Sequence, residues 1–374
     1  MEPPETAHDM PRSKGDTRTA TLDSGGVGVI RFGLPKRLYH HTQRILRPYI
    51  TKYTNRYIHS APNPPVPTVL SEFRFFAVLG TWMEDDIVES NVRNAFAQGV
   101  EKVFLVDNAS TDATVARALT AGATLAESFE TKAYHEDLRI LFMNGVVARE
   151  SIASGADYVW WLWLDADEFP EGPDGLTIVE YLHTLDQRFR VVGSTFFNHF
   201  PSGKPENIEG VHPVDLQPLC APYRSDRIIP CGLGHYKHPL QRFDREGPFL
   251  TSSGGFHWAT SGTFDRLYEP EGGIVTHHVQ YREEAHTRAR LDRVCNPIRN
   301  VENHGKGHTE MTRRRASLDA VYSQRWQDVD NLQNRKVQLG VSLERWKGHG
   351  KRWYERSPGV TATPDRIAET TSSD

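Results

Sequence analysis

The feature that most restricts the fold is the run from Tyr158 to Leu164, uninterruptedly apolar, followed at once by Asp165-Ala166-Asp167-Glu168-Phe169. The run is far short of the roughly 20 residues needed to span a bilayer. It is apolar at odd and even positions alike, as expected of a strand covered on both faces, and parallel sheets are covered in that way. Such a strand needs helices above and below it, and its carboxyl end opens directly into three acids within four residues.

The flanking sequence supplies those helices. Phe75 to Leu79 predicts a strand. Asp86 to Gln98 predicts a helix, with Val88, Val92, Ala95 and Phe96 on one face, an Asp86/Glu89 capping box and Gly99 as the stop. Val103 to Val106 predicts a second strand, turning at Asp107-Asn108. Thr111 to Ala121 follows as a helix capped by Ser110 or Thr111 and ended by Gly122. Ala123 to Ala126 predicts a third strand, His135 to Ala153 a longer helix, and Val191 to Phe197 a later strand. Strand–helix alternation at this spacing means an α/β open sheet. The pattern divides the chain into a basic arm with a Pro-rich linker over 1–69, an α/β domain over 70–285 and a polar, helix-prone extension over 286–374.

Charge and cysteine content narrow the function. Lys and Arg number 44 and Asp and Glu 48, a net charge of -4, which argues against a nucleic-acid partner. Cys220, Cys231 and Cys295 form no C-x-x-C pair and are odd in number. A disulfide framework or thiolate zinc site is not expected, and the default compartment is the cytoplasm. Met1-Glu2-Pro3-Pro4-Glu5 has no basic start with an apolar stretch behind it, so no signal peptide is expected. From Ser24 to Ser71 there is no acid, while Arg31, Lys36, Arg37, Arg44, Arg47, Lys52 and Arg56 are cations interleaved with Leu38, Ile45, Tyr49, Tyr53 and Tyr57. This arm reads equally as a basic helix on an anionic membrane surface and as a solvated arm packed on the main domain.

In open α/β sheets, ligands bind beyond the carboxyl ends of the strands. Two acidic clusters are expected there. Asp107 leaves its strand where its oxygens can hold a base or sugar. Asp165 and Asp167 are two apart, so in extended backbone both project to one side. Their mutual repulsion, together with Glu168, would be relieved by a hard cation, and carboxylates suit Mg2+ or Mn2+.

The order of a strand, Glu84-Asp85-Asp86, then Val106-Asp107-Asn108-x-Ser110-x-Asp112-x-Thr114, then Leu164-Asp165-x-Asp167-Glu168-Phe169 resembles family-2 glycosyltransferases of the GT-A fold. The likeness is to the branch with a late Gly-x-His, here Gly255-Phe256-His257, and His-x-x-Tyr-Arg, here His278 to Arg282. It covers about residues 72 to 285. The resemblance implies a nucleotide-sugar donor, a Mn2+ or Mg2+ cofactor, and inverting transfer to a hydroxyl of a glycan or lipid-linked glycan, as in polysaccharide biosynthesis. It implies that Asp107 holds the base, that Asp165 lies near the ribose or diphosphate, and that Asp167 and His278 bind the metal. Glu84 would contact ribose or base, although Trp82-Met83-Glu84 replaces the branch's Lys-Asn-Glu. Lys237 and Arg282 would reach phosphate oxygens. The lipid-linked acceptors of similar enzymes would place the arm over residues 24–71 peripherally at the inner membrane face.

Direct displacement also needs a base near the acceptor hydroxyl. Asp215, Asp244, Glu246 and His257 are candidates. Asp244 is favoured, because Arg242-Phe243-Asp244-Arg245 lies between the Lys237 and His257 elements. Two other functions share parts of this pattern. A nucleotidyltransferase has a related sheet and acidic metal site, but a Gly-rich basic loop after its first strand, where this chain has Leu79-Gly80-Thr81-Trp82-Met83-Glu84. A non-catalytic glycan-binding relative would tolerate loss of the acids, all of which are present.

Overall fold

The computed structural model describes residues 29–30, 58–132, 134–201, 211–222, 237–257, 259–260, 267–294, 318–319, 321–322 and 344–346. In chain order the first strands and helices are β1 (Val29–Ile30), β2 (Ile58–Ala61), β3 (Arg74–Thr81), α1 (Val88–Ala97), β4 (Lys102–Asp107), α2 (Thr114–Thr120), β5 (Thr124–Phe129), α3 (Glu136–Ser154) and β6 (Tyr158–Asp165). Then come β7 (Glu168–Glu171), α4 (Ile178–Leu182), β8 (Val191–Phe200), α5 (Pro213–Leu216), β9 (Leu219–Pro222) and β10 (Lys237–Asp244). The last are β11 (Thr251–Ser252), β12 (Ala259–Thr260), β13 (Leu267–Pro270), β14 (Ile274–His278), α6 (Glu284–Val294) and β15 (Glu344–Arg345).

The expected open, mixed α/β sheet with helices on both faces is present. Its spine runs β1-β5-β4-β3-β6-β10-β8-β14-β7. The strands from β1 to β6 are parallel, β10 runs antiparallel between β6 and β8, and β14 is again parallel to β8. Alternate residues serve opposite faces, as the pleat dictates. Phe75, Ala77 and Leu79 of β3 join Leu105, Leu162 and Leu164 beneath Val88, Val92 and Ala95 of α1. Phe76 and Val78 join Val106, Trp161 and Trp163 beneath Ile140, Met143, Val146 and Val147 of α3.

Chain order leaves β3 toward β4 and β5, then returns to β6 on the other side of β3. The sheet's ligand crevice belongs at that reversal. Register sharpens the point: Gly80 lies opposite both Val106 and Asp165, and Thr81 opposite Asp107. The carboxyl ends of three parallel strands are therefore level.

Several boundaries differ from expectation. Before residue 70 the chain already contributes β2, paired with β13, and an isolated bridge joins Val69 to Asp186. Beyond residue 285 it contributes most of α6, and also β15, which pairs with β9. The Asp86/Glu89 capping box does not form. The N-cap of α1 is Ile87 without a side-chain bond, Glu89 pairs with Arg93 one turn on, and Asp86 is drawn to Arg282. Nor does Ser110 or Thr111 cap α2, because the turn before it is spent on Asp107 and Asp112. Residues 31–57 of the basic arm, and most of the extension after 294, lie outside the described residues.

Candidate active site

A cavity of about 370 Å³ opens at the level strand ends, lined by Gly80, Thr81 and Asp165 from the sheet, by Asn108 just after β4, and by Arg290 and Arg293 from α6. The loops around it are tightly built. Met83 and Ala109 adopt left-handed backbone at φ 62° and 47°, a conformation uncommon for residues other than glycine. They are held across the two loops: Met83 N–H donates to Ser110 Oγ (2.8 Å), and Glu84 N–H to Thr114 Oγ1 (2.7 Å).

Asp107 sits at the end of β4, 2% exposed. Its carboxylate accepts from Thr81 Oγ1 (2.9 Å), Ser110 Oγ (2.7 Å) and Ser110 N–H (2.7 Å). Burial raises its pKa, against those hydrogen bonds. The side chain expected to hold a base thus staples its own turn, and its neighbour Asn108 lines the cavity.

The acidic motif also departs from the extended geometry that puts Asp165 and Asp167 on one side. β6 ends at Asp165, Ala166-Asp167 form a tight turn, and Glu168 begins β7. After that turn, Asp165 and Glu168 share one partner, the Nζ of Lys237, which lies 2.7 Å from Asp165 Oδ2. Asp165 Oδ1 meets Arg139 Nη1 at 2.6 Å. Burial would raise the pKa of Asp165, but Arg139 and Lys237 hold it well below the usual carboxylate range. Glu168 goes the other way: burial, with repulsion from Asp165 and Asp167, pushes it well above that range despite Lys237. Lys237 is 5% exposed and fully engaged, so it clamps the motif rather than offering a free cation to phosphate.

Asp167 turns toward β14. Its Oδ2 lies 3.1 Å from His278 Nε2 and 2.8 Å from Arg290 Nη2. Burial opposes ionisation there, but the Arg290 guanidinium holds its pKa below the usual range. On its other side, the His278 ring meets Asn198 Oδ1 through Nδ1 at 2.8 Å. In the neutral ring that bond fixes the proton on Nδ1 and leaves the Nε2 lone pair facing the Asp167 carboxylate. Two acceptors so placed call for a cation between them. An octahedral ion with bonds near 2.1 Å spans adjacent ligands about 3.0 Å apart, close to the separation observed. The residues present fit a divalent ion held by Asp167 and His278.

A second acidic group is less suitable. Glu84, Asp86 and His286 bring ligand atoms within 4.8 Å of one another. However, Arg282, 2% exposed, already donates to Glu84 Oε2 (2.6 Å) and Asp86 Oδ1. Arg290 Nε adds a contact to Glu84 Oε1 at 3.1 Å. The buried guanidinium occupies the place of a cation. Glu84 lines the cavity with its carboxylate engaged by both arginines, and Arg282 is not among the cavity-lining residues. Both belong to an internal ion-pair network.

The candidates for the base separate clearly. Asp244 lies opposite Tyr158, at the amino end of β6, bonded to Arg190 and Arg242. The eight residues of β10 carry it about 23 Å from Lys237. Glu246 follows in the same distal turn, and half-buried Asp215 lies in α5, outside the cavity lining. His257 does line the cavity. The expectation favouring Asp244 is overturned by strand direction.

Several contributors were not anticipated from sequence. Asn91 of α1, 1% exposed, donates through Nδ2 to the carbonyls of Asp165 (3.1 Å), Ala166 (3.1 Å) and Glu168 (2.7 Å), fixing the acidic turn. Arg139 of α3 threads past Gly80 to reach Asp165, and its partner Glu136 accepts from the Gly255 N–H at 2.6 Å. Each of these is a polar residue on an otherwise apolar helix stripe, and that was the available signal. Behind His278, the adjacent His277 is buried in a chain from Glu171 Oε1 (3.0 Å) through its own ring to His199 (2.8 Å) and the Gln217 carbonyl (2.6 Å).

No protein-family model matches the chain, and no curated protein matches it. Solved structures similar to it include a mannosyltransferase from Pyrobaculum calidifontis in complex with GDP-Man and Mn2+, at 14% identity, 80% of this chain, 84% of that one and a TM-score of 0.33. Another is glucosyl-3-phosphoglycerate synthase from Mycobacterium tuberculosis with phosphoglyceric acid, at 16% identity, 63% and 86% coverage and a TM-score of 0.32. The same enzyme with Mg2+ and uridine-diphosphate gives 17% identity, 59% and 79% coverage, and 0.30. Likeness at this level fixes neither family nor substrate. Among the described residues, no helix is long and apolar enough to cross a membrane.

Proposed function

We propose that the protein is a metal-dependent glycosyltransferase of the GT-A type. It would move a sugar from a nucleoside-diphosphate donor to a hydroxyl of a glycan or lipid-linked glycan, with inversion. The observation that carries this reading is the pairing of Asp167 Oδ2 with His278 Nε2 at 3.1 Å, joined through Arg290 and the preceding Ala166 to the lining of a cavity at the level ends of β3, β4 and β6. The register supports a bound nucleotide there, with Asn108 and Asp165 presented to the cavity. The segment 79–84 at the end of β3 has one glycine and an acid in place of a Gly-rich basic loop, against a nucleotidyltransferase.

Asp167 and His278 would hold Mn2+ or Mg2+, which as a Lewis acid neutralises charge on the departing diphosphate. The acceptor oxygen forms its bond to the anomeric carbon as the bond to the diphosphate breaks, and the electron pair leaves on the nucleoside diphosphate. The hydroxyl proton needs an acceptor at the cavity, and His257 is the base candidate placed there. Arg139 and Lys237 keep Asp165 ionised and fixed in orientation throughout.

Calorimetry of UDP and GDP with Mn2+ or with EDTA tests the reading, alongside hydrolysis of nucleotide-sugars with and without Mn2+. Metal-dependent binding and slow hydrolysis are expected; equal affinity in both conditions refutes it. We further assign the arm over 24–71 to an anionic membrane surface bearing the acceptor, each cation contributing about 1 kcal/mol there. Equal co-sedimentation with anionic and neutral vesicles would refute that assignment.

A further inference from the structure

The oxygen of Asp167 that faces His278 is also the oxygen on which Arg290 rests, at 2.8 Å. Arg290 comes from α6, and its Nε simultaneously reaches Glu84 Oε1 at 3.1 Å. A guanidinium does not lose its proton in a protein. With a divalent cation on the same oxygen the like charges would lie only about 4 Å apart, which weakens the hold of Arg290 there. The two cations therefore compete for this oxygen.

Arg290 has somewhere to go. It lines the cavity together with Arg293, three residues on and so on the same face of α6. Arg293 Nη2 donates to the Met83 carbonyl at 3.0 Å, and among the described residues no carboxylate lies within ion-pair distance of it. Burial, and repulsion from Arg290 and Arg282, lower its pKa against the pull of Glu84. An unneutralised guanidinium at a cavity wall is suited to an anion, and a diphosphate takes bidentate arginine contacts well.

Building on the glycosyltransferase reading, we propose that Arg290 is an exchangeable counter-ion. In the resting molecule it occupies the metal-facing oxygen of Asp167 while tied to Glu84. When a divalent ion and a nucleoside diphosphate arrive together, it transfers to the diphosphate beside Arg293. Metal and nucleotide would then bind cooperatively, and free metal alone would bind poorly, because it must first displace an arginine with no anion to receive it.

The test separates the two ligands. Mn2+ affinity without nucleotide is read from the free-ion electron paramagnetic resonance signal, and UDP affinity at saturating Mn2+ by calorimetry. Arg290→Met should tighten Mn2+ alone by roughly tenfold or more and weaken UDP at saturating Mn2+ by a similar factor. Arg293→Gln should weaken UDP only. Thermal melts guard against a folding artefact: Arg290→Met should melt lower without ion and recover more than wild type on adding Mn2+. Arg290→Lys, which keeps the charge but loses the fork that spans both carboxylates, should fall between. Mn2+ affinity unchanged or weakened in Arg290→Met would overturn the exchange while leaving the metal site standing. Absence of Mn2+-dependent UDP and GDP binding in the wild type itself would overturn both the exchange and the reading beneath it.

Discussion

Replacing Arg282 by Met tests whether this residue is an internal clamp or a phosphate contact. Its guanidinium lies 2.6 Å from Glu84 Oε2 and also bonds Asp86 Oδ1, with Arg282 at 1% side-chain exposure and each acid at 9%. At an effective dielectric of 20, one pair at 2.6 Å is worth about 6 kcal/mol before desolvation, which offsets much of it. Removing one member of such a buried set leaves charge uncompensated and costs about 3–5 kcal/mol. At about 2–4 °C per kcal/mol for a domain of this size, the melting temperature should fall by roughly 6–20 °C at pH 7.5. The pH dependence identifies the cause. Without Arg282, Asp86 loses the charge that opposes the effect of burial, so its folded-state pKa lies further above its unfolded one. An acid shifted that way destabilises the fold fully above its folded pKa, and the penalty fades as pH falls through that value toward the unfolded one. The gap between variant and wild type should therefore narrow at pH 5. Circular-dichroism melts at both pH values measure it. A gap equal at both, or wider at pH 5, would mean that lost packing of the arginine stem matters and the ion pairs do not.

Gly80→Ala would set a methyl 2.9 Å from Arg139 Nη1 and 3.0 Å from Met143 Sδ. Arg139 should be pushed off Asp165, with about 1–3 kcal/mol lost in melts and weaker UDP binding; wild-type values of both would contradict it. His277→Ala should mainly cost stability, about 3 kcal/mol, by removing the ring that bridges buried Glu171 and His199. His278→Ala should mainly abolish Mn2+-dependent UDP binding, and an exchange of the two phenotypes would show that the ligand is His277. Asp167→Asn should abolish Mn2+-dependent turnover with native circular dichroism retained; activity within a few-fold of wild type sinks its assignment as a metal ligand. Asp165 and Asp167 are held below the usual carboxylate range. The stability they supply is present above about pH 4 and lost only as pH falls through their depressed values. An acid titration followed by fluorescence should show unfolding below about pH 4, and a transition at pH 5–6 would refute this.

What the sequence made legible was local. The apolar run ending at Asp165, the Val88/Val92/Ala95 stripe and the stop at Gly99 each follow from residues a few positions apart, and each is present. The ion-pair partners were hidden because they join distant segments: Arg290 to Asp167, Arg282 to Glu84, Arg139 to Asp165. Composition showed that cations were available, not which acid each would meet. Asp107 is a middle case. Its turn chemistry is local, and Ser110 three residues on could have been read as the partner that satisfies it.

The error over Asp244 has a different origin, and the sequence held the means to avoid it. Chain order between the Lys237 and His257 elements does not mean proximity to the site. A strand carries its two ends to opposite edges of the sheet. Once Lys237 is placed with Asp165 at the ligand edge, an extended segment through Phe243 must deliver Asp244 about 23 Å away. The chain then needs a turn and a return before it can supply the site again. Asp244 to Gly247 forms that turn, and Gly254 to His257 brings the chain back to the cavity wall. Placing a lysine at the site and an acid seven residues along the same strand were incompatible expectations. Only His257, beyond the return, satisfies the first without violating the geometry.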